Sequence, residues 1–334
     1  MVDGLKHYAP YPFSRLPDWY PSLSAHRRLW KYSYRLTDGP RRFLLLTRLI
    51  YPVARQATMK LIRDHPADVY VAVHALYLTP LLSALRPPRP PIITVVTDPV
   101  SIHAIWYHPK VDVYIVETET GRESLILKGI PPEKVHLAGL PVASRFCAPG
   151  GDKAQLRARL GWTPGCPVVL VIGGGEGMGP VSEIAQAISS AGLECELAVV
   201  AGRNQALRAS LEAATWKVPT HIYGFVTEMP DLMCAADVLV TKAGPATIWE
   251  AFGAGVPIVL YDYLPGQEEG NVTYVENSGA GRVALSPQAV VDVLREWLGP
   301  QADPRVLAQA ALNAKKLARP DAADRIAELI WQNS

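Results

Sequence analysis

No stretch of this sequence approaches the ~20 consecutive apolar residues that a helix needs to cross a bilayer, so a chain that spans a membrane is not expected. Cysteine is scarce: Cys147, Cys166, Cys195 and Cys234 are scattered and lack metal-ligand spacing. With no secretory leader either, they read as reduced core thiols of a cytoplasmic protein. Charged residues make up only 19% of the chain and nearly cancel, at +2 net, which excludes the disordered class. His103 and His108 stand close in sequence but have no third ligand near them, so a metal site is not expected.

What is present is apolar: 49% of 334 residues, ample for two cores and two domains of ordinary size. Charge is unevenly shared, at +8 over residues 1–150 and −6 over the remainder. A basic half with many aromatics suits a nucleic acid or an anionic bilayer surface, and equally a scattered solvated surface. Residues 7–40 interleave the two side-chain types, from Tyr8, Tyr11 and Trp19 to Arg27, Arg28, Trp30, Lys31, Tyr32 and Tyr34. Pro10, Pro12, Pro17 and Pro21 forbid a continuous helix before Ser22. Such a segment lies at a headgroup boundary, rings buried and cations on lipid phosphate, or it closes as an aromatic loop over the core. Residues 41–64 then carry apolar side chains at helical spacing, with Pro52 expected to kink or divide the helix.

From Val69 the pattern changes. Short β-branched runs at 69–73, 92–96, 113–116 and 135–137 alternate with helical stretches at 75–85 and 119–129. That alternation predicts a parallel sheet with ligands at the carboxyl ends of its strands. Asp98 and His103 fall just after one such end and are the catalytic candidates of this half. Each has a plainer alternative, a loop cap for the aspartate and a satisfied surface residue for the histidine. Residues 139–165, with Pro141, Pro149 and Pro164 around a short helix, read as the linker. The boundaries drawn are 1–145, a linker over 146–166, 167–318, and a terminal helix in 319–334.

The second domain opens with a buried strand at 167–172 running into Gly173-Gly-Gly-Glu-Gly-Met-Gly179. Glycine there permits close approach to an anion, but dinucleotide folds use the same device. They also want an acid about 20 residues on, at the end of the next strand. Here that strand ends in Ala201-Gly202-Arg203-Asn204: no acid stands there, although Arg203 is placed to take an NADP phosphate.

The densest stretch is 241–271. Val238 to Val240 read as a strand, Lys242 to Ala246 as a turn without bulky side chains, and Thr247 to Phe252 as a helix. A small-residue turn opening a helix aims free N–H groups and the positive dipole end at one point, which is an anion site. Glu250 sits one turn in, within reach of ribose hydroxyls. After the next strand comes Pro265-Gly-Gln267-Glu268, a polar loop suited to gripping hydroxyls. Phosphate, ribose and sugar contacts in that order spell a nucleotide-sugar pocket.

Lys242-Ala-Gly244-Pro245-Ala246-Thr247 and Pro265-Gly-Gln-Glu-Glu-Gly-Asn271 resemble the donor-site motifs of monogalactosyldiacylglycerol synthases and processive diacylglycerol glucosyltransferases, relatives of the peptidoglycan N-acetylglucosaminyltransferase. Gly173 to Pro180, and Val96-Thr-Asp98 followed by His103 to His108, match the same family in order. The resemblance implies the α/β GT-B fold, two Rossmann-like domains facing across a cleft. It implies an inverting, metal-independent hexosyltransferase, with no cofactor, moving a hexose from a UDP-sugar to diacylglycerol. On the donor side it implies Gly174, Gly175, Glu176, Gly177, Met178, Arg203, Phe225, Val226, Lys242, Gly244, Pro245, Ala246, Thr247, Glu250, Gln267, Glu268 and Asn271. Phe225 and Val226 would read uracil through their backbone; the plain alternative for Phe225 is core packing. The implied partners are a UDP-hexose, diacylglycerol and an anionic membrane surface, with no nucleic acid, and the expected location is cytoplasmic and peripheral to the membrane. The terminal helix is expected to return to the first domain.

The family opens with a strand, a Gly-Gly-Gly-His loop and a helix, and its loop histidine serves as general base. This chain begins at Met1-Val-Asp-Gly-Leu-Lys-His7, which resembles the segment after that helix. The expectation is a start placed too far downstream; the alternative is a shortened protein with little turnover. Other functional readings are a non-catalytic UDP-sugar and lipid binder, a UDP-sugar epimerase, and an NAD(P) oxidoreductase, the last opposed by the missing acid.

Overall fold

Two parallel sheets organise the chain in the computed structural model, which describes residues 2–15, 18–19, 26–39, 42 and 54–334. The expected Pro52 kink lies outside the described residues; residues 54–64 are helical. Tyr70–Ala72 (β1), Ile92–Val95 (β2), Val113–Val116 (β3) and Val135–Leu137 (β4) pair in sequence order, all parallel. Side chains alternate across a strand, and here both faces are apolar, as a parallel sheet covered on both sides requires. Tyr114 and Val116 face a cluster with Leu78, Leu81 and Leu82 of the helix Leu78–Ala84 and Leu125 of the helix Glu119–Leu127. Val113 and Ile115 face the other way, onto Ile326, Leu329 and Ile330 of the helix Ala322–Gln332.

The second sheet holds Val168–Ile172 (β5), Glu196–Val200 (β6), Thr220–Tyr223 (β7), Val238–Lys242 (β8), Ile258–Asp262 (β9) and Gly281–Val283 (β10). Their order is β10-β9-β8-β5-β6-β7. The chain builds outward from β5 on one side, then returns to build outward from β8 on the other. Such a reversal opens a crevice at the carboxyl ends of the two central strands. The helices Val181–Ser189 and Pro287–Leu298 cover this sheet through Val181, Ile184, Ile188, Val290 and Leu294, all fully buried or nearly so.

The chain forms two units: Met1–Leu140 with Leu264–Gly270 and Asp321–Ser334, and Pro141–Tyr263 with Asn271–Pro320. Residues 146–166, read from the sequence as a linker, belong to the second unit. Asp152 and Gln155 form a capping box on the helix Lys153–Leu160, Leu156 and Trp162 are buried, and Arg157 donates to the Ala235 carbonyl at 3.0 Å and pairs with Asp237. The glycines and prolines flanking that helix gave the segment a linker's composition, although its one short helix is anchored. Among the described residues no helix is long and apolar enough to cross a membrane.

Candidate functional site

β5 runs out at Ile172 into the glycine loop, which closes on itself: Met178 N–H donates to the Gly173 carbonyl at 2.8 Å and Gly177 N–H to that of Gly174 at 3.1 Å. Gly177 has φ +59°, and a Cβ there would stand 2.2 Å from the Ala201 carbonyl oxygen. Gly202, at φ +62°, would put one 2.4 Å from the Gly175 oxygen. The loops after β5 and β6 are therefore locked backbone to backbone, and Arg203 N–H adds a bond to Gly175 at 2.9 Å. Only glycine combines that φ with that proximity. Among the described residues, the N–H groups of Gly174, Gly175 and Glu176 have no acceptor.

On the other side of the crevice β8 ends at Lys242, where its pairing with β9 shifts register. The helix Pro245–Ala254 follows, with Pro245 in its first turn and Gly255 ending it at φ +71°. It starts two residues earlier than the predicted Thr247, because Pro245 lacks the N–H that the first turn leaves unused. Ala246 and Thr247 present first-turn N–H groups, the ordinary orphan donors of a helix start. Asn271 is buried and donates its amide to the Ala243 carbonyl at 3.0 Å, fixing the turn between strand and helix. Lys242 runs alongside Gly174. The Tyr261 hydroxyl lies 3.2 Å from the carbonyls of both Ile172 and Met178, steadying the exit of the glycine loop.

These pieces converge. Gly174 and Gly175, Gly202, Phe225 and Val226, and Ala246, Thr247 and Glu250 line one cavity of about 230 Å³ in the second unit. Phe225 is 57% exposed, so it is no core residue; the Arg203 guanidinium lies 4.3 Å over its ring and 2.8 Å from Glu176. Glu250 is half-buried, and burial pushes its carboxyl up to about 7. The cavity thus offers N–H donors at two backbone turns, a flat cationic-aromatic rim and one carboxyl. Those groups can take an anion, a planar ring and a diol.

Gln267 and Glu268 do not line this cavity; the segment Leu264–Gly270 belongs to the first unit. Glu268 is 5% exposed and accepts the Leu264 N–H at 2.7 Å, closing its own loop. Gln267 donates its amide to Asp98 at 3.3 Å. Contiguity with the donor motif in sequence hid this, because nothing in the spacing marks where the chain leaves the second unit.

Asp98 follows β2 and is partly exposed. Its carboxylate accepts the Trp106 indole N–H at 2.6 Å as well as Gln267, while burial raises its proton affinity. His103 is occupied differently. Its Nδ1 accepts the Ile105 N–H at 3.1 Å, which leaves the proton on Nε2, 3.1 Å from the Tyr34 carbonyl and 3.2 Å from the Thr37 hydroxyl. Burial lowers its basicity further. With both nitrogens engaged, His103 ties the helix Arg27–Thr37 to the sheet edge, and Asp38 helps by accepting the Ala104 N–H at 3.0 Å.

Two titratable groups at the same edge escaped the sequence reading. His74 follows β1 and accepts the Leu76 N–H at 3.3 Å. Glu117 follows β3, and a visible signal existed: an acid directly after the apolar run Val113-Tyr-Ile-Val116. It is 5% exposed, and neither carboxyl oxygen has a partner among the described residues. Burial first, and the charge of Asp98 second, hold its carboxyl well above the usual range. No group of three metal-ligating side chains occurs among the described residues.

The monogalactosyldiacylglycerol (MGDG) synthase family profile matches residues 1–142, and the glycosyltransferase family 28 C-terminal domain matches residues 168–326. The probable monogalactosyldiacylglycerol synthase 2 of Oryza sativa subsp. japonica is 37% identical over 331 residues, covering 95% of this chain and 70% of that protein. The chain belongs to the MGDG synthase family. It is a glycosyltransferase, and its two parallel-sheet units have the GT-B fold. The MGDG synthase-like chain resembles Acinetobacter baumannii MurG with TM-score 0.63 at 16% identity, covering 85% of this chain and 78% of that one. Anabaena HepE in complex with UDP-glucose gives TM-score 0.55 at 18% identity, covering 83% and 82% respectively.

Proposed function

We propose that this MGDG synthase-family protein moves a hexose from a UDP-sugar to the free hydroxyl of diacylglycerol, with inversion and without a metal. The observation that carries the reading is the cavity at the ends of β5 and β8, where residues from separate donor motifs line one space of about 230 Å³. In this reading the diphosphate sits on the N–H groups of Gly174 to Glu176 and of Ala246 and Thr247, with Lys242 beside them. Fixed donors placed where leaving-group charge develops lower the barrier without reorganising. Glu250 takes the ribose hydroxyls, and Phe225 and Val226 border the base. HepE, a protein of the same fold, is solved with UDP-glucose, which suits such a donor.

The acceptor belongs to the first unit. The acceptor oxygen attacks the anomeric carbon, the bond from that carbon to the diphosphate oxygen breaks, and the hydroxyl proton passes to Asp98. A base in that role is worth about 10²–10⁴ in rate. Asp98 suits it better than His103, whose nitrogens are both engaged. A lipid acceptor calls for a way to meet a bilayer, and the helix Arg27–Thr37 offers one. Leu29, Tyr32 and Leu36 are exposed along one side of it, among Arg27, Arg28, Lys31 and Arg35. Apolar side chains at the acyl boundary and cations at lipid phosphate match an anionic membrane surface.

The test incubates purified protein with diacylglycerol vesicles and UDP-galactose or UDP-glucose, followed by lipid chromatography and calorimetry with UDP. The expected result is a hexosyl lipid, with UDP-galactose the better donor given the family's name. Asp98→Asn should lower turnover by about 10² or more with UDP affinity kept. Glu250→Gln should weaken UDP binding by about tenfold or more, the loss of charged hydrogen bonds. UDP binding with no glycolipid from either donor would make the protein a binder, and no UDP affinity at all would overturn the reading.

A further inference from the structure

Asp98 and Glu117 leave neighbouring parallel strands at the same edge. β2 and β3 are paired through Val95 and Ile115, and Asp98 and Glu117 lie three and two residues beyond that pair. The Thr118 hydroxyl donates to the Pro99 carbonyl, tying the two strand exits together. The carboxyls differ in their surroundings. Asp98 has two N–H donors, from Trp106 and Gln267; Glu117 has none among the described residues.

We propose that Glu117 is a positioning residue for Asp98: by staying uncharged it leaves Asp98 the single carboxylate of this edge, docked on Trp106 and Gln267. The inference rests on Asp98 accepting the acceptor's proton, as proposed above. Two like charges in one poorly solvated place repel, so one carboxyl keeps its proton, and hydrogen-bond donors decide which. They favour charge on Asp98.

Among the described residues, burial and Asp98 are what act on the Glu117 carboxyl. His74 and His103 act on Asp98, in the direction that favours its charge. His136 on β4 pairs in register with Ile115. Glu119 is paired with Arg122 at 2.8 Å. The helix Ala322–Gln332 packs Ile326, Leu329 and Ile330 against the face of β3, with Asp324, Arg325 and Glu328 exposed. Should Glu117 ionise, it would repel Asp98 and compete for the indole and amide N–H groups that hold it. The base would then be charged but misplaced.

The test compares wild type with Glu117→Gln, a neutral side chain of the same shape. Infrared difference spectra at neutral pH, with ¹³C-labelled glutamate to assign the band, should show a carboxylic-acid C=O stretch in wild type that the variant lacks. In the transfer assay Glu117→Gln should keep activity within a few-fold at neutral pH. Wild type should lose kcat, with KM little changed, at the alkaline end where Glu117 ionises, and the variant should hold its plateau there. Absence of the acid band, or the same alkaline fall in both proteins, would overturn the proposal. A wild type that makes no glycolipid would sink the transfer reading, while the infrared arm still decides whether Glu117 carries the proton. A purely structural role for Glu117 would leave the alkaline limb unchanged.

Discussion

Under the proposed function, Glu250 makes one half-buried carboxyl link donor binding to pH. Burial alone pushes its pKa to about 7. Ribose hydroxyls donate, so they favour the carboxylate, and binding below pH 7 requires the group to give up a proton first. UDP affinity should therefore fall by about tenfold per pH unit below that value and level off above it. The folding consequence runs the other way. A carboxyl that holds its proton more tightly folded than unfolded gives a stability contribution that is greatest at or below the usual carboxylate range and declines as pH rises toward about 7. Calorimetry with UDP from about pH 5 to about pH 8 reads the first slope, and denaturation midpoints over the same range read the second. Glu250→Gln should bind weakly at every pH, with both slopes reduced. A wild-type affinity independent of pH would mean that Glu250 does not meet the ribose.

At the scale of elements, the proposed donor site depends on two loops that fit only because each gives up its side chains. Gly177→Val would add a Cβ 2.2 Å from the Ala201 oxygen, at a φ of +59° that a β-branched residue resists. Strain of this kind costs about 1–3 kcal/mol, and forcing the loops apart adds to it. The variant should lose UDP affinity and melt lower, whereas Gly192→Ala, where a Cβ meets nothing within 4 Å, should change stability modestly through its φ of +71° and leave UDP binding alone. Equal UDP affinity in both would show that the interlock is not what shapes the pocket. These loops were legible in the sequence because apolar strands flank them, which places the glycines at strand ends where ligands bind. Asp98 was legible for the same reason, an acid at the end of a β-branched run. The fate of Gln267 and Glu268 was not. A motif's order along the chain cannot tell which unit a seven-residue segment joins, and here hydrogen bonds from Gln267 to Asp98 and from the Gly270 N–H to the Ser101 hydroxyl tie it to the first. Nor could spacing reveal that His103 has both nitrogens occupied, since its partners Tyr34 and Thr37 are remote in sequence.

For the whole molecule, the decisive contact is made by the end of the chain. The first sheet has one face covered by helices near it in sequence, Leu78–Ala84 and Glu119–Leu127. Its other face, with Ile93, Val95, Val113 and Ile115, is covered from the helix Ala322–Gln332 through Ile326, Leu329 and Ile330. A parallel sheet with one bare apolar face is unstable in water, so the first unit cannot be completed until the last residues are in place. The second unit has its own cluster, built on Val169, Val171, Val240 and Val259, to which the terminal helix contributes nothing. Ile326→Asp would bury a charge against β2 and β3 and remove apolar packing, each a source of losses of several kcal/mol, of order 2–5. Hydrogen exchange followed by mass spectrometry should show lost protection in β2 and β3 while β5 and β8 keep theirs, because protection follows the local opening that each core permits. Equal loss in both sheets would mean that the two clusters unfold as one. Donor binding gives a second check at the same scale: under the proposed function UDP affinity, assigned to residues of the second unit, should survive Ile326→Asp, whereas sugar transfer, for which Asp98 at the end of β2 is the proposed base, should not.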